Sequence, residues 1–334
     1  MTCVGCATDL APSLLACPAC HTLVHSDRLK VLAATARAAA ARADAAGELS
    51  AWRDALLLLP PGSAQHRDIV ARVDRLSADV IDAPADGSSR AAWSTGALAG
   101  FGLLAWKFKA VIAFVLTKGK LLALGLTNST TALSMLPAIG VYWAVFGWPF
   151  AVGLVASIYV HEMGHVAALR RFGIAASAPM FLPGIGAVIR SRQPMVNPRE
   201  RARVGLAGPI WGLGAAIAAL AVYAATHAPI WIAIAQFGAW INLFNLTPIW
   251  QLDGAHAFSA MNRRQRWLVA FAVAAAFVLS REGLLILVAA CATLQAWKAD
   301  EGPGDGSICL QTAALVAALV GLIVVLPDAA LAAR

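Results

Sequence analysis

Charge is what this sequence has least of. Only 13% of its 334 residues are Asp, Glu, Lys or Arg, against roughly a quarter in an ordinary soluble domain, while 60% are hydrophobic. That shortage excludes a chain solvated mainly by water, and a polytopic membrane protein is expected. Acid is scarcer still: from Ala91 to Asp300 the acidic residues are Glu162, Glu200, Asp253, Glu282 and Asp300 alone. A secretory leader is also missing from the opening residues, which hold four cysteines and no apolar run behind a basic start. The N-terminus is therefore placed in the cytosol. The net charge of +8 does not call for nucleic acid, because Lys and Arg cluster beside apolar runs, as the positive-inside rule requires.

What is present begins with Cys3-x-x-Cys6 and Cys17-x-x-Cys20, two knuckles whose spacing suits a tetrahedral four-thiolate zinc site. Residues 1–25 are read as a zinc ribbon, stabilised by metal because so short a segment buries little core of its own. His21 and His25 lie beside the second knuckle but are read as surface residues, since four thiolates complete the set. Residues 26–82 are rich in Ala, Leu, Arg and Asp at helical spacing, broken at Gly47 and at Pro60-Pro61-Gly62-Ser63, which gives three soluble helices. From Ala45 through Trp52, Ala55, Leu58 and Pro60 to Val70 and Val73 this stretch resembles a tetratricopeptide unit. The resemblance implies either a cytosolic protein partner or a spacer. Residues 83–92, with Pro84 and Gly87, read as a linker.

Residues 93–124 contain Lys107, Lys109, Lys118 and Lys120, too many cations for a comfortable span, and are assigned to the cytosolic interface. Leu121 to Val160 has no formal charge and is long enough for two crossings, with Phe146-Gly147-Trp148-Pro149 as the turn. Further spans are expected near 204–225, 229–250, 267–280, 284–297 and 309–326. The expected fold is thus an all-α polytopic membrane protein of about six or seven crossings by length. A small re-entrant β segment is expected in Gly173–Arg192, which is apolar but studded with Pro and Gly. Residues 125–262 form the membrane core, and 263–334 the C-terminal transmembrane helices.

The chemistry is concentrated in His161-Glu162-Met163-Gly164-His165, at the end of an apolar run. Histidines at i and i+4 share one helix face and can ligate one zinc, with Glu162 placed to take a proton from metal-bound water. A His-Glu-His cluster at membrane depth is costly unless it binds something. Two imidazoles are too few for a catalytic zinc, so a distant acid is required, and the best-placed candidate is Asp253 after the span ending near 250. His256 is read as lying outside the ligand set, His66 and His227 as bland, and Cys291 and Cys309 as small buried hydrophobes.

Taken together, His161-Glu162-x-x-His165 and Asn245-x-x-Pro248-x-x-x-Leu252-Asp253-Gly254 resemble the site-2 protease family of intramembrane zinc metalloproteases. The likeness covers roughly residues 120–262, including Ala207-Gly208-Pro209, where small residues allow helices to approach closely. It implies that His161, His165 and Asp253 hold the catalytic zinc, that Glu162 is the general base, and that Asn245 steadies substrate or oxyanion. It implies a membrane-spanning protein substrate drawn out along the edge of the re-entrant segment. The cell inner membrane, with the active site toward the cytosol, is the expected location. A metal transporter and a catalytically silent adaptor are the rival readings; the first gives Glu162 no role, and intact ligands weigh against the second.

Overall fold

In a computed structural model of the protein, residues 2–82, 129–182 and 186–326 are described. The expected linker, the interfacial segment 93–124 and residues 183–185 lie outside them. The chain divides into two compact units, one of Met1–Ala83, Leu169–Ala176 and Ser191–Glu200, the other of Pro84–Ala168, Ser177–Arg190 and Arg201–Arg334.

The first unit opens with two near-identical knuckles. Ala7 N–H donates to Cys3 O and His21 N–H to Cys17 O, both at 2.9 Å, and both residues take left-handed backbone. Three helices follow: α1 (Ser26–Ala41), α2 (Ala45–Leu56) and α3 (Ala64–Asp82). The first break falls just before Gly47. The Asp44 carboxylate accepts the Gly47 N–H at 2.9 Å, so Asp44 caps α2 and Gly47 sits in its first turn. Ala36, Leu49, Trp52, Leu56 and Val73 form the apolar core, with Arg72 stacked 4.7 Å over the Trp52 ring.

Helices α2 and α3 pack onto the two chain segments that flank the hairpin described below. Arg53, wholly buried, donates to Glu200 Oε2 at 2.7 Å, to Ser77 Oγ at 3.2 Å and to the Phe172 carbonyl. Gln193 donates to Asp54 at 2.6 Å and Asn197 to Asp74 at 2.7 Å. Gly173, at φ +65°, abuts the Ala46 carbonyl so closely that a Cβ would lie 1.9 Å from its oxygen. Close approach and backbone angle both require glycine there.

The second unit is helical apart from one hairpin. Helices α4 (Ser129–Phe146) and α5 (Trp148–Arg171) meet at Gly147, whose φ of +84° makes the turn at the expected place. Strands β1 (Met180–Leu182) and β2 (Gly186–Val188) pair antiparallel, with Phe181 opposite Ala187. Phe181 N–H, on the outer side of β1, donates to Ser134 Oγ of α4 at 3.0 Å. Then come α6 (Pro198–Thr226), α7 (Ile230–Asn245), α8 (Asp253–Phe258), α9 (Arg263–Ser280), α10 (Leu284–Trp297) and α11 (Gly306–Val325). Helices α5, α6 and α11 are long and apolar enough to cross a membrane; α4, α7 and α10 are shorter apolar helices. The surface stays apolar too, with Leu133, Trp148, Phe271 and Leu279 exposed, as lipid solvation demands. The mostly helical architecture with one small sheet is the expected fold class.

Candidate active site

Helix α5 carries His161, Glu162 and His165, which the i, i+4 spacing sets on adjoining turns. The chain leaving α7 supplies the acid. Its loop turns tightly after Asn245, with Thr247 buried and the Pro248 carbonyl accepting from Gln295 Nε2 at 3.0 Å, and α8 starts at Asp253. Gly254 is needed for this turn, because a Cβ would lie 2.0 Å from the Leu246 carbonyl oxygen. His161, Glu162 and Asp253 are all buried.

Two imidazole nitrogens and one carboxylate converge. His161 Nε2 lies 3.1 Å from His165 Nε2 and 3.1 Å from Asp253 Oδ2, and His165 Nε2 lies 3.2 Å from Asp253 Oδ1, so each histidine faces its own carboxylate oxygen. Zinc bonds of about 2.0–2.1 Å at tetrahedral angles set ligand atoms about 3.3 Å apart, and this triangle of groups is close to that spacing. The tautomers agree. His161 Nδ1–H donates to Asn242 Oδ1 at 2.7 Å, and His165 Nδ1–H donates to the Val204 carbonyl at 2.8 Å. With Nδ1 donating, each ring presents its Nε2 to the other ring and to the Asp253 carboxylate, a donor set that a cation such as zinc would take.

Helix α6 leaves room in front of these atoms. A Cβ on Gly208 would stand 2.2 Å from His165 Nε2 and 2.6 Å from His161 Nε2. One on Gly205 would stand 2.7 Å from His256 Cβ, and one on Gly212 2.0 Å from Asn242 Oδ1. From the α5 side, Gly164 meets the Ala207 carbonyl, where a Cβ would be 2.4 Å away. The small-residue packing expected at Ala207-Gly208-Pro209 thus extends over Gly205, Gly208 and Gly212, a repeat legible in the sequence but singled out only in part.

Asn245 Nδ2 comes within 3.4 Å of His161 Nε2, so the asparagine stands at the edge of the triangle. His256 takes no part in the ligand group. Asn242 was not singled out from the sequence, although an amide in an apolar span is costly enough to be a signal.

The second cluster is the ribbon. Cys3 and Cys20 sulfurs lie 3.5 Å apart, as do those of Cys6 and Cys17, close to the roughly 3.8 Å edge of a tetrahedron with 2.3 Å zinc–sulfur bonds. Thr8 and Thr22 hydroxyls sit 3.1 and 3.2 Å from the sulfurs of Cys6 and Cys20. Both thiols are lowered, chiefly by these threonines, Cys20 to about 6. Both clusters could hold zinc.

Residues 149–228 match the family model of Peptidase family M50. Two curated proteins named "Putative zinc metalloprotease Rip3", from Mycobacterium tuberculosis strains Erdman and H37Rv, are each 34% identical to this chain over 141 residues. That alignment covers 38% of this chain and 35% of each relative, so the chain spans about a third of their length. No solved structure matches. Asp253 lies beyond the family match, and its place beside the histidines rests on the geometry above. Over residues 149–228, which carry His161, Glu162, His165 and the glycine face of α6, this chain is therefore similar to peptidase family M50.

Proposed function

We propose that this chain is an intramembrane zinc metalloendopeptidase that hydrolyses peptide bonds of membrane-spanning proteins, with its site toward the cytosol. The observation that carries the reading is the convergence of His161, His165 and Asp253 on one point among apolar helices, with Glu162 beside His161. His161, His165 and Asp253 would hold zinc, which would supply a Lewis acid for peptide hydrolysis. Glu162 would be placed to take a proton from the attacking water as its oxygen bonds to the carbonyl carbon, and to give that proton to the amide nitrogen as the C–N bond breaks. The Asn245 amide, 3.4 Å from His161 Nε2, is placed to donate to the carbonyl oxygen as it gains charge.

A helical substrate hides its peptide bonds, so it has to enter extended. The outer side of β1 is engaged through Phe181 N–H and Ser134, and β2 carries no such contact among the described residues. We assign substrate pairing to the β2 edge at Ala187, opposite Phe181.

The test is cleavage of labelled single-span peptides by detergent-purified protein, with Glu162→Ala and a chelator followed by zinc as the two arms. Cleavage lost in both and restored by zinc supports the reading. Wild-type protein that binds zinc at Asp253 yet cuts nothing in the panel favours the adaptor or transporter.

A further inference from the structure

The geometry points to Asn242 as a positioning residue that fixes the tautomer and ring direction of His161, with Gly212 supplying the space that lets it do so. This rests on the metalloprotease reading and names a role that neither motif contains. Asn242 is 2% exposed, and both ends of its amide are committed. Its Nδ2 donates to the Gly238 carbonyl at 2.7 Å and its Oδ1 faces His161 Nδ1 at 2.7 Å. Turning the amide over would set Oδ1 against a carbonyl oxygen, so its direction is settled by the Gly238 bond. Nδ1 of His161 must then carry a proton, which leaves Nε2, the atom facing Asp253, as the nitrogen that can ligate a metal.

The two histidines are held differently. His165 is oriented by the backbone carbonyl of Val204, which no side-chain replacement removes. His161 depends on a side chain, and that side chain depends on a missing one. A Cβ on Gly212 would lie 2.0 Å from Asn242 Oδ1 and 2.4 Å from Nδ2, so any other residue there pushes the amide off the imidazole. An imidazole freed from this bond also populates the Nε2–H form, which offers no lone pair to a metal.

Two measurements test this, and both separate it from a mere hydrogen bond between helices. In metal-free protein carrying 15N-labelled histidine, with His161→Gln to assign the signals, His161 is expected as the Nδ1–H tautomer. A His161 ring protonated at Nε2 alone in the wild type overturns the proposal without recourse to any variant. In cobalt(II) titrations, thiolate charge-transfer bands report the cysteine ribbon and serve as a folding control. Asn242→Leu and Gly212→Ala are each expected to weaken cobalt at the histidine site about 10–100-fold with the ribbon unchanged. Affinity within twofold of wild type in Asn242→Leu overturns the proposal. Wild type that binds cobalt but cleaves nothing removes the protease reading alone, and wild type with no cobalt at the histidines removes both.

Discussion

Arg53 and Glu200 stand 147 positions apart in the chain, yet their side chains meet at 2.7 Å with no exposure of either. Ser77 donates to the same Glu200 oxygen at 2.8 Å, and Arg53 also donates to the Phe172 carbonyl. One guanidinium thus ties α2 and α3 to the residues just after α5 and to the first turn of α6, within a single compact unit. Removing one partner leaves a buried charge without its counterion, a loss of about 3–5 kcal/mol, whereas an apolar pair of similar volume is far less costly. Arg53→Leu is therefore expected to lower native-state hydrogen-exchange protection in α2 and α3 by on the order of 10²–10³-fold. The double change Arg53→Leu, Glu200→Leu should restore most of it. Equal protection in wild type and the single variant would show that the pair holds nothing together.

Gly208 makes a second prediction, because its missing side chain leaves the space in which Nε2 of His161 and Nε2 of His165 meet. With a Cβ forced to within 2.2 Å of His165 Nε2, Gly208→Ala has to displace the ring or the helix. A displacement near 1 Å costs about 10²-fold in a positioned reaction. Peptide cleavage should fall at least that far, with about one metal equivalent lost per chain and the ribbon metal retained. Gly214→Ala, on the same helix with nothing near its added carbon, should behave as wild type.

Glu162→Gln keeps shape and burial and removes the carboxylate proposed as the base. Cleavage is expected to drop about 10²–10⁴-fold while metal content, measured on the purified protein, stays the same. Loss of metal in step with activity would instead make Glu162 a ligand.

The ribbon makes a pH prediction. The Thr22 hydroxyl and backbone lower the Cys20 thiol from its ordinary 9.0 to about 6. A depressed acid favours the folded state above its unfolded pKa, and that contribution is lost as pH falls through the folded value, here near 6. Cobalt(II) titrated into the ribbon at a series of pH values should bind more weakly as pH falls, and Thr22→Val should weaken it further at each pH. The thiolate charge-transfer bands read both, and an affinity that ignores Thr22 counts against the hydroxyl as the cause.

Sequence by itself determined the parts of this protein that repeat at short range. The i, i+4 spacing of His161 and His165, the paired cysteines, the charge-poor spans and the glycine at the 146–149 turn are all local patterns, and backbone geometry alone makes them legible. The need for a distant acid followed from zinc's coordination, and the fold brings Asp253 within 3.1 and 3.2 Å of the two histidines. What faces what across long separations is settled by packing. Asn242 meets His161 over 81 residues, and Glu200 meets Arg53 over 147. No periodicity encodes such meetings, and that of Asn242 with His161 depends on how closely α5, α6 and α7 approach. That approach is set by which residue on each helix has no side chain, and a glycine in a sequence does not say what its absence makes room for.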